Sequence, residues 1–182
     1  AINAVCIGFQ RGTHANWQLV TNDGTGAPTL TDMGVPFAIA TGGVMTAGVN
    51  PEDAHYSAEE MKAGISEAHR FHKCCASHAQ GALGILNAVR GGIDSIEHGI
   101  FMDEECCREM KERGVWLVPT LAAVKNILKG YDEGDRSIPD YVIEKSRRVF
   151  DRHIAATKMY YSAGGRIAMG TDSGPPARFQ GY

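Results

Sequence analysis

The sequence predicts an α/β fold in which short parallel strands alternate with helices. Apolar runs of strand length recur, each run ends in a glycine or small-residue turn, and a helical pattern follows. Strand ends recur near residues 78, 98 and 118, so one strand and one helix repeat every twenty residues. A helical crossover of this length joins parallel strands, and the carboxyl ends of these strands meet at one edge of the sheet.

The bulk properties fit one globular domain and exclude several functional classes. The chain has 182 residues, of which 43% are hydrophobic and 21% charged, and its net charge is -3. Because the chain lacks a basic patch, no nucleic-acid partner is expected. No apolar run approaches the roughly 20 residues of a membrane-spanning helix, so no membrane partner is expected either. The five cysteines form no CxxC motif and are interpreted as small buried apolar residues, which favours the cytoplasm.

The first elements follow from local signals. Residues 1–34 form a poorly defined N-terminal segment, and the apolar run at 35–40 then predicts a strand that ends in Thr-Gly-Gly. Ser57 and Glu60 have the spacing of a capping box, which predicts a helix over about 57–72. Two histidines lie one turn apart on this helix and could share a metal ion, but the preferred interpretation is that they are surface residues.

The next two repeats have the clearest boundaries. Residues 73–78 predict a strand whose alternation places small side chains and His78 on one face, which suits the crowded interior of a barrel. A helix after Gly81 ends at a pair of glycines, and residues 93–98 predict the following strand. Asp103 then caps a helix with acidic residues at its start and basic residues at its end, as the helix dipole favours.

The repeat changes after the strand predicted at 115–118. An insertion at about 121–140 is expected to contain a polar loop from Tyr131 to Pro139. A long helix from about Asp140 then leads to a final strand at 166–170.

Three side chains at the predicted strand ends can hold a metal ion. His78 and His98 end neighbouring strands, and Asp172 follows the last strand, so all three are expected at the same edge of the sheet. Two neutral imidazoles and a carboxylate are the ligands of a catalytic zinc site that leaves one position open for water. The alternatives are a polar strand end for each histidine and a turn residue for Asp172. Strict alternation turns Glu97 away from the face of His98 and gives it a structural role.

Four short motifs carry a resemblance to a known family. SHAQG at 77–81, SIEHG at 95–99, VPTL at 118–121 and GTDSG at 170–174 resemble, in this order, the metal-dependent amidohydrolases. The most similar branch is the imidazolonepropionase-like one, which includes Xaa-Pro dipeptidases. The resemblance implies a (β/α)8 barrel of the TIM type. It also implies that residues 35–182 supply only a later part, strands four to eight, because a whole barrel has about 250 residues.

The resemblance also implies roles for individual residues. His78 and His98 match metal-ligating histidines on the fifth and sixth strands, and Asp172 matches the aspartate that binds metal and relays protons. In that family a metal-bound hydroxide attacks an amide carbonyl, and the divalent metal expected here is Zn²⁺. The family's His-x-His pair and bridging lysine have no counterpart in this sequence, and Gln80 replaces a histidine that lies near the substrate in relatives. Three ligands suffice for one zinc ion but not for a binuclear centre.

Two classes of function follow. The first is a metal-dependent hydrolase of the C–N bond of a small molecule or short peptide, such as a dipeptide or N-acyl amino acid, with a cyclic amide as the alternative substrate. Its candidate substrate-binding residues are Gln80, Tyr131 and Arg136, although the latter two also suit a solvated loop. The second is an inactive partial barrel that self-associates through unpaired strand edges, and either class is compatible with a homo-oligomer.

Overall fold

The computed structural model describes residues 37–44 and 48–172. It contains a five-stranded parallel sheet in the order β1-β2-β3-β4-β5, with at least one helix between successive strands. The poorly defined N-terminal segment predicted at 1–34 lies outside the described residues. The elements are β1 Phe37–Ile39, α1 Ala58–Arg70, β2 Ala76–Ala79, α2 Ala82–Gly91, β3 Ser95–His98, α3 Glu104–Glu112, β4 Trp116–Val118, α4 Leu121–Asp132, α5 Asp140–Ser162 and β5 Arg166–Ile167. The alternating α/β architecture predicted from the sequence is confirmed.

The helix boundaries follow the capping signals in the sequence. The Ser57 hydroxyl accepts the Glu60 amide proton at 3.3 Å, and the Glu60 carboxylate accepts the Ser57 amide proton at 2.8 Å. Asp103 caps α3 by accepting the amide proton of Cys106 at 2.8 Å. Gly92 ends α2 in the left-handed conformation, with φ of 98°, which glycine adopts without steric cost.

The main core lies between the sheet and the helices that cover it. Ile96 of β3 and Leu117 of β4 are fully buried, and they join the same cluster as Met110 of α3 and Tyr160 of α5. The Tyr160 hydroxyl donates to the carbonyl of Val115 at 2.7 Å, which ties the end of α5 to the start of β4. This packing holds the strands in register, and therefore fixes where their carboxyl ends lie.

The segment at 121–140 is mostly helical. Helix α4 begins directly after β4 and packs against α5 through a separate cluster that includes Ile127, Val142 and Ile143. The polar loop expected from Tyr131 begins only after Asp132, because apolar residues at helical spacing extend α4 to that point.

The described cysteines are all free thiols. Cys75, Cys106 and Cys107 are buried as expected, but Cys74 is exposed, which corrects the interpretation of every cysteine as buried. Cys74 precedes β2 and so escapes the burial that the sheet imposes on Cys75. None of the helices in the described ranges combines the length and the apolar character needed to cross a bilayer.

Candidate active site

Two histidines meet at the carboxyl edge of the sheet. His78 lies in β2 and His98 ends β3, and the parallel pairing of these strands brings the two ring centroids within 4.6 Å in an edge-to-face arrangement. The expectation that these two imidazoles share one sheet edge is met by this geometry. Their assignment as metal ligands stays a prediction.

The backbone of His98 departs from strand geometry. Its φ is 74°, a left-handed conformation that costs a non-glycine residue about 1–2 kcal/mol. Strict alternation would direct His98 to the opposite face from His78, because the register pairs His78 with Glu97 instead. The left-handed turn allows the His98 ring to reach His78 all the same.

Glu97 therefore shares the site with both histidines. Its carboxylate accepts a hydrogen bond from the Ser95 hydroxyl at 3.0 Å. Burial, aided by the nearby Asp172 carboxylate and opposed by the Ser95 hydrogen bond, raises the pKa of Glu97 to about 7. The register places Glu97 opposite His78, whose ring His98 reaches through its left-handed backbone, and the structural role expected for Glu97 stays a prediction.

Each imidazole has a partner that fixes its orientation. His78 Nε2 donates to the carbonyl of Gly42 at 3.2 Å, which leaves Nδ1 as the unprotonated nitrogen of the neutral ring. His98 Nδ1 forms a hydrogen bond of 2.6 Å with the Thr120 hydroxyl, so Nε2 is the nitrogen that can face a ligand. Metal-ligating histidines are typically held through the second ring nitrogen in this way.

A third histidine, His153, holds the backbone of His98 through a hydrogen bond. His153 of α5 is fully buried, and its Nε2 donates to the carbonyl of His98 at 3.0 Å. Thr120 also adopts a left-handed backbone, with φ of 49°. Nothing in the sequence around His153 indicates this contact, because His153 lies in a helix far along the chain, whereas the VPTL motif marks the position of Thr120 without its role.

Both imidazoles are held in the neutral form that metal binding requires. Burial, aided by the proximity of His98, lowers the pKa of His78 to about 3, while the Gly42 carbonyl and the Asp172 charge act in the opposite direction. Burial likewise lowers the pKa of His98 to about 3. Both residues are half-buried as a whole, so solvent moderates these shifts.

Asp172 lies near His78 but is the least enclosed of the three. Its residue surface is exposed and its φ is 52°. The surrounding protein raises the pKa of its carboxyl, and the charge of His78 acts against that shift. Within the described ranges, the one group of three possible ligands whose ligand atoms all lie within 4.8 Å of one another is elsewhere in the fold. His78, His98 and Asp172 thus form a wider arrangement.

The three predicted substrate-binding residues fall in two places. Gln80 follows His78 by two residues and is 2% exposed, and its side-chain oxygen has no hydrogen-bonding partner among the described residues. Arg136 donates to the Tyr131 carbonyl at 2.6 Å and stacks over its ring at 4.2 Å. Tyr131 is the eleventh residue of α4, so it lies about 15 Å along the helix from the strand end. Of the three, only Gln80 lies at the carboxyl edge of the sheet, directly after β2 and two residues after His78.

Comparison with known sequences identifies similar proteins. The model of the amidohydrolase family matches residues 27–179. An ochratoxinase from Aspergillus niger is 35% identical over 137 residues, which cover 75% of this chain and 28% of the ochratoxinase. An uncharacterised protein from Mycobacterium bovis is 29% identical over 119 residues, which are 65% of this chain and 32% of that protein.

Solved structures give the same picture. The A. niger ochratoxinase superposes with a TM-score of 0.66 at 33% identity, and the matched region covers 78% of this chain and 31% of the ochratoxinase. A Xaa-Pro dipeptidase with bound methionine gives a TM-score of 0.69 at 33% identity, and the matched region covers 76% of this chain and 34% of the dipeptidase. A prolidase complexed with N-methylphosphonate-L-proline gives a TM-score of 0.68 at 30% identity, and the matched region covers 74% of this chain and 32% of the prolidase. The chain therefore spans about a third of the length of these relatives, and the predicted barrel-type fold, present in part, is confirmed.

Proposed function

The chain belongs to the amidohydrolase family, and on that premise we propose that it forms part of the active site of a metal-dependent hydrolase of amide C–N bonds. The observation that carries the proposal is the pair of neutral imidazoles whose ring centroids lie 4.6 Å apart at adjacent strand ends. Neutral nitrogen donors at the carboxyl ends of parallel strands are suited to catalysis, because barrel enzymes assemble their active sites at this edge.

The residues fit a divalent ion in donor type and protonation state. His78 would bind through Nδ1, His98 through Nε2 and Asp172 through its carboxylate, and Zn²⁺ accepts all three donors. A divalent ion held there supplies Lewis-acid activation of the attacking water and of the amide carbonyl. Three protein ligands leave a fourth position for that chemistry.

The other side chains of the site have separate tasks. Asp172 would accept the proton of the attacking water and return it to the leaving nitrogen, and its raised pKa suits a group that both takes and gives a proton. Gly42 and Thr120 keep the two rings from rotating away. The unpartnered amide oxygen of Gln80 would accept a hydrogen bond from the substrate.

The similar proteins support a short substrate. The Xaa-Pro dipeptidase is named for cleaving a dipeptide, and the prolidase holds N-methylphosphonate-L-proline, so we propose a dipeptide or an N-acyl amino acid as the substrate, with a cyclic amide as the alternative. Tyr131 and Arg136 contact each other rather than the histidine pair, so a direct role for them in substrate binding has less support than one for Gln80. The cytoplasmic location stays a prediction from the cysteine content.

The proposal is tested by zinc binding together with turnover. His98→Ala is expected to lower bound zinc by about one ion per chain in equilibrium dialysis and to abolish release of free amino acid from dipeptides and N-acyl amino acids. His72→Ala is the matched control, because His72 is exposed at the end of α1 and should leave both measurements unchanged. Equal zinc content and turnover in the two variants would contradict the proposal.

The two outer strands of the sheet, β1 and β5, favour an alternative in which the chain self-associates. In the described residues β1 and β5 each pair with only one neighbouring strand, and unpaired edges promote association. We therefore keep an inactive, self-associating partial barrel as the alternative. Sedimentation of the metal-stripped and zinc-loaded chain separates the two, because a metal-free oligomer without turnover supports the alternative and a zinc-loaded active species opposes it.

A further inference from the structure

A second group of possible metal ligands lies at the opposite edge of the sheet. His69 is in the last turn of α1, Cys75 directly precedes β2, and Asp94 directly precedes β3. These positions lie at the amino ends of the strands, whereas His78 and His98 lie at the carboxyl ends. The two groups therefore share no residue and face different sides of the molecule.

The three side chains are already drawn together. Asp94 Oδ2 accepts the Cys75 amide proton at 2.7 Å and lies 2.8 Å from His69 Nε2. One ligand atom from each of the three residues, the Cys75 sulfur included, lies within 4.8 Å of the others. Ligand atoms that share one zinc ion lie about 3.3–3.8 Å apart, as bond lengths of about 2.0–2.3 Å in a tetrahedron require. The His69–Asp94 pair already lies closer than this, so its hydrogen bond must open by about 0.5 Å, and the most widely spaced donors must approach by up to about 1 Å, for the group to close on an ion.

The surroundings allow an ion to enter and be held. Cys75 is 2% exposed, so its sulfur offers a sheltered donor. The side chains of His69 and Asp94 are 42% and 41% exposed, which leaves an open approach from solvent. His69 is exposed on α1, as the sequence interpretation of a helix-surface histidine expects, and its ring also contacts Asp94, 25 residues away.

We propose that His69, Cys75 and Asp94 form a second metal site that takes Zn²⁺ or a similar borderline divalent cation and joins α1 to β2 and β3. Thiolate, imidazole and carboxylate are all zinc donors, and three protein ligands leave one position for water. The Cys75 thiol loses its proton to solvent as the metal–sulfur bond forms. Burial and the Asp94 charge raise the pKa of this thiol to about 11, so it is protonated before the ion binds.

Cobalt(II) substitution tests the site without any measurement of activity. A sulfur ligand gives Co²⁺ a thiolate-to-metal charge-transfer band in the near ultraviolet, which His78, His98 and Asp172 cannot produce. Titration of the full chain with Co²⁺ is expected to develop this band to saturation, and Zn²⁺ is expected to displace it. Cys75→Ser should abolish the band, and His69→Ala or Asp94→Asn should weaken Co²⁺ binding by more than about tenfold.

Two neighbouring residues provide matched controls. Cys74→Ser and His72→Ala remove the same side-chain types one and three residues away, and both should keep the band and the affinity. Circular dichroism confirms that each variant is folded before titration. A folded wild-type chain without the band, a band that survives Cys75→Ser, or unchanged affinity in both His69→Ala and Asp94→Asn would each overturn the proposal.

Discussion

Replacing Thr120 with valine isolates the hydrogen bond that orients His98. Thr120 is 4% exposed and its hydroxyl lies 2.6 Å from His98 Nδ1. Valine keeps the β-branched shape, and with it the strain of the left-handed backbone at φ of 49°, so only the hydroxyl is lost. A partner of this kind is worth about 10–100-fold in metal affinity, which corresponds to about 1.4–2.8 kcal/mol. A buried nitrogen left without a partner also lowers the free energy of unfolding by about 1–3 kcal/mol.

The assay combines a zinc competition titration with the nitrogen-15 shifts of the His98 ring. Thr120→Val is expected to weaken zinc binding in that range and to mix the two ring tautomers, because Nδ1 no longer has a fixed partner. Thr120→Ser keeps a hydroxyl and should retain the wild-type tautomer. Zinc affinity and ring shifts that match the wild type in Thr120→Val would refute the role assigned to this hydrogen bond.

Three further predictions concern stability. Gly84→Ala places a Cβ against Ala40 and Thr41, just after β1, and should lower the free energy of unfolding in urea by about 1–2 kcal/mol. Gly64→Ala places a Cβ in open space on α1 and should raise the free energy of unfolding by up to about 1 kcal/mol. Equal effects of the two substitutions would contradict this packing. Tyr160→Phe removes a buried donor and should cost about 1–1.5 kcal/mol in the same assay, while Tyr161→Phe at a 73% exposed position should cost almost nothing. The folded-state pKa of Glu97 is about 7, above its usual value, so the metal-free wild type loses stability as pH rises through 7. In the presence of a chelator, the free energy of unfolding of Glu97→Gln relative to wild type should therefore rise by about 1–2 kcal/mol between pH 5 and pH 8. A difference between the two proteins that does not change with pH would contradict the shift.

The sequence predicted best what depends on local signals. The capping box at Ser57 and the cap at Asp103 mark where helices begin, and both form as expected because their partners are three residues away. The apolar runs located the strands, and parallel pairing then brought His78 and His98 to one edge.

What the sequence could not predict depends on distant contacts or on single backbone angles. The support that His153 gives to His98 spans 55 positions, and nothing local to α5 indicates it. The left-handed φ of His98 overrides the alternation from which the place of Glu97 was inferred. Tyr131 was assigned to a loop over the site because it lies in a polar stretch, yet the apolar positions before it continue the helix beyond that residue.

The unusual backbone angles are concentrated at one edge of the sheet. In the part of the chain that the structure describes, four non-glycine residues have positive φ, and three of them, His98, Thr120 and Asp172, lie at or near the carboxyl ends of strands. Each conformation costs about 1–2 kcal/mol that glycine would avoid. Glycine would relieve this strain at all three positions, but at His98 and Thr120 it would also remove the hydrogen bond between the two side chains, and that loss offsets the gain. Stability and chemical function therefore compete most directly at Asp172, whose side chain is exposed, so a variant selected for thermal tolerance alone is expected to lose Asp172 before the other two.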